Sequence, residues 1–452
     1  MRDRVAKILF VLAVLALVWL YGVAAQLFQL FPQPQLMYLY SLSRQAVLQI
    51  MEENGLRHPW WYQEIASPDW QVKIPQPDEV SPGYVLVSGI KEDNELMVKI
   101  IDNQGKAVHE WDVDWFKLWP EPKHLPANVI PKRKPGSHIH GIVFLPNGDL
   151  VFNFERLGLI RLGYCGEVRW RLPRSTHHSV QADSNGNFWV PGRNYLVKPN
   201  RLDKFRNFTD GYIPVLLEVS PEGEIKSEIP VYDLLIDNGL NGLLYLSTKN
   251  NWGTRVSGDL LHLNDIEPFP GDMEGGVFQP GDLMISLRNI NAIIVFNTQT
   301  RKIKYLSIGQ VLRQHDPDFV DGNTISVFDN NNLSAATSER SRVEDDLSSR
   351  IVMLDARSGE RTIYYEGTKA EPFFTSIMGE HQWLDNGNLL VTESRSGRAF
   401  ELNPERQIVW EYQNALAGDL VGYGGLLGEA QRLPAEFDGQ FFADLNKTCV
   451  AQ

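Results

Sequence analysis

The chain has 452 residues and a formal net charge of −13, with 43% hydrophobic and 22% charged residues. These proportions exclude wholesale disorder, and the acidic balance argues against nucleic acid as a partner, because phosphate binding needs a basic face. Only two cysteines occur, Cys165 and Cys449, which excludes a disulfide-dense scaffold, a thiolate zinc site and an iron–sulfur site.

Arg2, Arg4 and Lys7 precede the apolar run from Ile8 to Phe28, and no charge follows until Arg44. About 20 apolar residues span a bilayer as a helix, and the basic flank places the N-terminus in the cytoplasm. Residues 1–30 therefore read as a single-pass signal-anchor, with the rest of the chain in the periplasm or extracellular space. A cleaved signal peptide is the alternative, since Val23, Ala24 and Ala25 offer small residues for cleavage. The length of the run and the late Trp19 and Tyr21 favour the anchor. Residues 31–80 read as a juxtamembrane stem. Its helix is expected from Tyr38 to Asn54, with Leu42, Val47, Ile50 and Met51 on the apolar face. Pro59, Pro68, Pro75, Pro77 and Pro82 then punctuate an irregular crossing. Trp60, Trp61 and Tyr62 read as packing of the stem or as a membrane-interface contact.

From about residue 83 a phrase repeats. One half is a tight turn between β-prone residues, as at Leu145-Pro-Asn-Gly-Asp, Asp183-Ser-Asn-Gly-Asn, Val320-Asp-Gly-Asn and Leu384-Asp-Asn-Gly-Asn. Asn-Gly and Asp-Gly supply the positive φ of a two-residue hairpin turn. The other half is a second hairpin, as at Gly166-Glu-Val-Arg-Trp and Arg406-Gln-Ile-Val-Trp. Two hairpins make a four-stranded antiparallel sheet. Six units start near residues 83, 137, 176, 260, 313 and 379. The fold expected over residues 81–448 is thus all-β, a six-bladed β-propeller. A pair of β-sandwiches is the alternative. Residues 195–258 read as an insertion, and Leu333–Ser349 as a polar loop. Cys165 reads as a small buried residue beside a turn; Cys449 could pair with it only if the C-terminus folds back.

His138, His140, His178, His262, His315 and His381 fall near the starts of units. In a propeller the innermost strands line one channel, so these side chains converge from different blades. A ring of imidazoles has two uses. Metal binding would draw on His138 and His140 or on His177 and His178, but an HxH pair is a weak signal and no HExxH occurs. Nucleophilic and acid–base catalysis is the other use.

His262-Leu-Asn264 followed by Ser286-Leu-Arg288, and Gln314-His315 followed by Phe328-Asp-Asn330, resemble the H-x-N, S-x-R and QH–FDN segments of the bacterial arylsulfate sulfotransferases. His177-His178 with Asn185-Gly-Asn resembles a further segment, and the likeness covers roughly residues 135–445. The resemblance implies transfer of a sulfuryl group from an aryl sulfate to a phenolic or other hydroxyl acceptor. It implies a ping-pong course through a sulfohistidine, with neither a nucleotide donor, a cofactor nor a metal. His315 would be the nucleophile, His262 the acid–base, Arg288 the clamp on the sulfuryl oxygens and His178 a further catalytic histidine. Asn264, His140 and His381 would contact substrate, with His140 fitting the H–N-G spacing as well as His178 does and so open to either part; Arg395 reads as positive charge at the channel mouth for an anionic substrate or as a solvated strand end. The sequence leaves the oligomeric state open, a homodimer among the options. The rival readings are a non-catalytic anchored propeller that binds a polymer or protein, and a quinoprotein-type dehydrogenase or metal-dependent lyase.

Overall fold

The computed structural model describes residues 2–28, 30–53, 56–65, 70–195, 208–246, 256–332 and 348–450. The chain divides into two units, Met1–Trp60 and Trp61–Gln452. The first holds two helices, Arg2–Phe28 and Gln33–Glu53. Within the first of them, Arg4–Gln26 is long and apolar enough to cross a membrane, and its side chains from Ile8 to Val18 are exposed. The second helix starts before the expected Tyr38, with Pro34 in its first turn, where no backbone N–H is needed.

The second unit is a six-bladed β-propeller. Blade 2 runs outward through Ile139–Phe144, Leu150–Phe154, Gly158–Leu162 and Val168–Leu172; blade 3 through Gln181–Ala182, Phe188–Tyr195, Phe208–Val219 and Ile225–Pro230. Blade 4 runs through Leu263–Pro268, Asp282–Leu287, Ala292–Asn297 and Ile303–Ile308; blade 5 through His315–Phe319, Thr324–Asp329, Arg350–Asp355 and Arg361–Glu366. Blade 6 runs through Glu380–Trp383, Leu389–Glu393, Arg398–Leu402 and Ile408–Gln413. The six inner strands touch one another in a closed ring.

Apolar faces of adjacent blades pack together. Blades 3 and 4 enclose Leu216, Ile229, Leu263, Ile285 and Phe296. Blades 4 and 5 enclose Phe278, Val295, Ile325 and Val352. Blades 6 and 1 enclose Trp410, Tyr412, Val87 and Met97. Each such side chain contributes about 1.5–3 kcal/mol relative to exposure.

The turns differ in type from the expected two-residue hairpins. At Leu145–Asp149 the two end residues pair through Leu145 N and Asp149 O, leaving a three-residue loop. Gly148 alone takes positive φ, +85°, and the Asn147 side chain accepts from Asp149 N at 3.2 Å. Asn here serves as a side-chain acceptor in a type I turn, and Gly supplies the bulge after it. Gly186 and Gly387 repeat the pattern.

Blade 1 closes the ring. Its inner strand is C-terminal, Leu427–Arg432, and pairs with Val85–Ile90, followed by Leu96–Ile101 and Ala107–Trp111. The unit that starts near residue 83 thus begins on its second strand. Residues 61–80, read as stem, lie in the propeller unit. Tyr62–Glu64 pairs with Tyr423–Gly425, and Val72–Lys73 extends blade 6 beyond Ile408–Gln413. Trp61 packs here too, donating to Asn94 Oδ1 at 2.8 Å.

The C-terminal helix Gly439–Val450 folds back, with Phe442 buried against Tyr84 and Phe144. This brings Cys449 to Cys165, and the two form a disulfide with Cα atoms 5.2 Å apart. Cys165 is exposed, contrary to the buried position expected of it. The bond ties the segment after the closing strand to blade 2. Reduction, or Cys449→Ser, is expected to cost about 2–5 kcal/mol and to lower the melting temperature; an unchanged melt would contradict this. Of the expected insertion, 196–207 and 247–255 lie outside the described residues, as does 333–347 of the polar loop. The described part of the insertion adds the helix Val231–Asp237 and the strand Val256–Gly258, which pairs in parallel with Phe208–Gly211.

Candidate active site

Four histidines meet at one end of the channel. His140 and His315 hold the same position in blades 2 and 5, the last residue before a bulge in the inner strand. His178 and His262 stand just before inner strands and take positive φ, +58° and +53°. That conformation is uncommon outside glycine, though less so for His than for most residues. The His178 ring lies 4.5 Å from His140, 5.0 Å from His262 and 6.4 Å from His315, centroid to centroid. His177 joins them, its Nδ1 2.8 Å from Nδ1 of His178.

Hydrogen bonds fix which nitrogen of each key ring is free. Asn330 Nδ2 donates to the carbonyls of Thr375 (3.0 Å) and Met378 (2.7 Å), so its Oδ1 faces His315 Nδ1 at 2.7 Å as an acceptor. His315 Nδ1 therefore carries the proton, and Nε2 keeps a lone pair. Burial, then the charge of Arg288, pulls the His315 imidazole well below its ordinary range. The ring is neutral at neutral pH.

His262 is held differently. The Asp259 carboxylate accepts both the His262 Nδ1–H and its backbone N–H, the latter at 3.1 Å. Nε2 of His262 is buried and has no partner among the described residues. Burial lowers the His262 pKa, and the bond and charge of Asp259 oppose that shift. Burial alone would raise Asp259, but His262, Tyr212 and Arg193 outweigh it and hold the carboxylate well below its usual range. Arg288 N donates to His262 O at 3.0 Å, which fixes the arginine beside this turn. Asn289 braces both: its Nδ2 donates to Asp259 O at 2.6 Å, and its Oδ1 accepts from Arg288 at 3.4 Å. Asn264 Nδ2 donates to Gln314 O at 2.8 Å, next to the nucleophile candidate, and its Oδ1 is buried with no partner among the described residues.

Glu155 is a second buried carboxylate. Its Oε2 accepts from His178 N at 2.9 Å and lies 3.4 Å from His140 Nδ1. Burial raises it, and His178, His140 and His177 outweigh that and keep it ionised.

The structure thus brings together His315, His262, Arg288, Asn264, His178 and His140. Arg395 sits in the short turn Ser394–Ser396 and is buried; its backbone N donates to Thr375 Oγ1 at 3.3 Å, and the Thr375 carbonyl accepts from Asn330. His381 needs a correction. Its Nδ1 meets Asp316 Oδ2 at 2.6 Å and its Nε2 meets Ser326 Oγ at 2.7 Å, where Trp383 also donates at 2.9 Å. Both ring nitrogens serve a hydrogen-bond network within the fold, and neither is left for substrate. Asp259, Glu155, Arg193 and Tyr212 were not singled out from sequence, and Asn330 stood there within the FDN segment without a role of its own. Asp259 left one faint signal, an acid three residues before His262.

Along the same channel strands lies an acidic stretch. Asp265 and Glu267 of blade 4, Asp316 and Asp318 of blade 5, Glu380 of blade 6 and Glu429 of blade 1 converge, and most line a cavity of about 220 Å³. Burial, then mutual repulsion, raises Asp265, Glu267, Asp318 and Glu380 well above the carboxylate range; burial takes Glu429 to about 8. A carboxyl raised in the folded state favours folding at low pH, and that contribution is lost as pH rises through the folded pKa. Above the imidazole range, between about pH 7 and 8.5, the melting temperature should therefore fall, and Glu429→Gln should flatten that slope. A slope unchanged in the variant would contradict the assignment. Two groups have candidate metal-ligating atoms within 4.8 Å of one another: His138, His140 and Glu155, and Asp316, Asp318 and His381.

A six-bladed propeller whose channel ends in a histidine–arginine cluster is the class of protein that this fold and site define. The chain belongs to the arylsulfotransferase (ASST) family, whose model matches residues 141–415, more than half of its length. No curated protein matches the chain. Among solved structures it is similar to a protein of unknown function from Bacteroides caccae, at 14% identity over 77% of this chain and 98% of that one, TM-score 0.43. A virginiamycin B lyase from Staphylococcus aureus is 13% identical over 78% of this chain and 87% of that one, TM-score 0.36.

Proposed function

We propose that the protein transfers a sulfuryl group from an aryl sulfate to a phenolic or other hydroxyl acceptor, through a sulfohistidine at His315 and without a nucleotide donor. The observation that carries this is the locked tautomer of His315: Nδ1–H is held by Asn330, so Nε2 is the nucleophilic atom. Membership of the family and the propeller fold support an arylsulfotransferase-like function.

In the first half-reaction Nε2 attacks sulfur, the aryl O–S bond breaks and the phenolate leaves with the bonding electron pair. His262 Nε2–H, when protonated, gives its proton to that phenolate. Arg288 neutralises the sulfuryl oxygens, which a guanidinium fork matches. The sulfohistidine ring carries a positive charge and keeps Nδ1–H on Asn330, so it is a good leaving group. In the second half-reaction the acceptor hydroxyl gives its proton to His262, attacks sulfur, and Nε2 of His315 takes back its electron pair. Asp259 stabilises the His262 imidazolium in both halves. His178 and His140, with Glu155, supply the polar wall of the site. The apolar helix Arg4–Gln26 and the Cys165–Cys449 bond support an anchored protein whose propeller lies in an oxidising space, the periplasm or cell exterior.

The test is transfer from 4-nitrophenyl sulfate to phenol by the full chain in detergent, with chelator present and no nucleotide. Acceptor-dependent nitrophenol release is the expected result. A folded protein that turns over no aryl sulfate would overturn the reading.

A further inference from the structure

At the histidine end of the channel two arginines, Arg288 and Arg193, each bury an Nε that has no partner among the described residues. Four guanidiniums act on the cluster. Arg288 acts on His262 and His315, and Arg313 acts on Arg288. Arg193 and Arg156 act on His177. The carboxylates these arginines feel most are Asp259 and Glu155. Arg156 is half exposed and lies 3.2 Å from Glu155, whereas Arg288 and Arg193 are largely enclosed and share the one carboxylate of Asp259. His177, His178 and His315 add no charge, because burial keeps them low. An aryl sulfate monoester brings a single negative charge, and Arg288 stands where its sulfuryl group would react. A second enclosed guanidinium remains.

Arg193 is that cation. Its guanidinium carbon lies 4.0 Å above the Tyr212 ring, and its nearest carboxylate oxygen, Asp259 Oδ2, is 4.0 Å from Nη2, beyond hydrogen-bond length. Its Nε–H is buried and has no acceptor among the described residues. Asp259 is already engaged by His262 through two bonds. A buried guanidinium with an unfilled donor is costly unless an anion completes it. Tyr212 fixes the plane of the fork and adds an aromatic face beside it.

We propose that the phenol exchanged at this site bears a second anionic substituent, and that Arg193 binds it. The proposal rests on reading the site as a sulfuryl-transfer centre, with Arg288 on the group in transit and Arg193 on the group that stays with the ring.

Binding without turnover tests it. The full chain carrying His315→Ala, in detergent at neutral pH, is titrated calorimetrically with 4-hydroxyphenylacetate and with its methyl ester. The acid should bind at least about tenfold more tightly, the ordinary worth of a charge-assisted hydrogen bond. Adding Arg193→Gln should abolish the difference, and Arg193→Lys should restore part of it. Should Arg193→Gln not fold, the ratio of acid to ester affinity, measured with Arg193 in place at low and high salt, takes its role, and it should shrink as salt rises. Equal affinities, or an acid preference that survives Arg193→Gln, would overturn the proposal. Either result would leave the transfer mechanism standing if neutral phenols still accept sulfuryl groups from the chain with His315 intact. Conversely, absence of all sulfuryl transfer together with a retained, Arg193-dependent acid preference would overturn the mechanism and leave the anion site.

Discussion

Nitrophenol release from 4-nitrophenyl sulfate should fall on the order of 10⁴-fold or more in His315→Ala, the scale seen when a covalent nucleophile is removed. His262 does not replace it. His262 has its Nδ1 committed to Asp259, and its Nε2 faces the leaving oxygen in the proposed course. His177 and His178 share one hydrogen bond between their Nδ1 atoms. The pH profile should carry the same signature. Burial and Arg288 hold His315 neutral well below the ordinary imidazole range. A nucleophile acts in its unprotonated form, so the rate with intact His315 should be flat through neutrality and fall only in acid. A profile that rises with pH through neutrality would contradict a neutral His315 as nucleophile.

Asp259→Asn should lower turnover by about 10²–10⁴-fold with a smaller change in KM, because an amide in that place no longer fixes the tautomer or stabilises the imidazolium. The loss should fall unevenly on the two half-reactions. 4-Nitrophenolate leaves without a proton, so the first release of nitrophenol should be nearly spared. The acceptor must give up a proton to His262, so the second half should slow. A burst followed by slow turnover is the expected trace. Asp259 raises the His262 pKa against burial; its removal lowers that pKa further. A base works above its pKa, so the acidic limb of the acceptor step should move to lower pH. Equal slowing of both halves with an unmoved limb would assign Asp259 a role in folding alone.

The repeats made the propeller readable because each blade carries its own turn chemistry. Leu145–Asp149 and Leu384–Asn388 are local devices, and local devices leave local sequence signals. Ring closure is not local. The strand Leu427–Arg432 follows no turn phrase, and its partner lies at Val85–Ile90. The Cys165–Cys449 bond, spanning 284 residues, hangs on the same closure. The convergence of His140, His178, His262 and His315 followed from blade geometry, since inner strands share one axis. What their rings do there did not. His381 occupies a similar place in its blade, yet Asp316 and Ser326 take both its nitrogens. The difference lies in neighbours from another strand, which spacing cannot report. Asp259 was hidden for a related reason. It reaches His262 because that histidine takes positive φ, +53°, a backbone state that no residue pattern announces.

The central claim is a covalent sulfohistidine. The full chain is incubated with 4-nitrophenyl sulfate in the absence of acceptor, quenched in alkali, digested and analysed by mass spectrometry. A mass increase of one sulfuryl group on the peptide containing Gln314-His315-Asp316, lost on addition of phenol and absent from His315→Ala, is the predicted result. Acceptor-dependent turnover with no such adduct, or an adduct on another histidine, would contradict it.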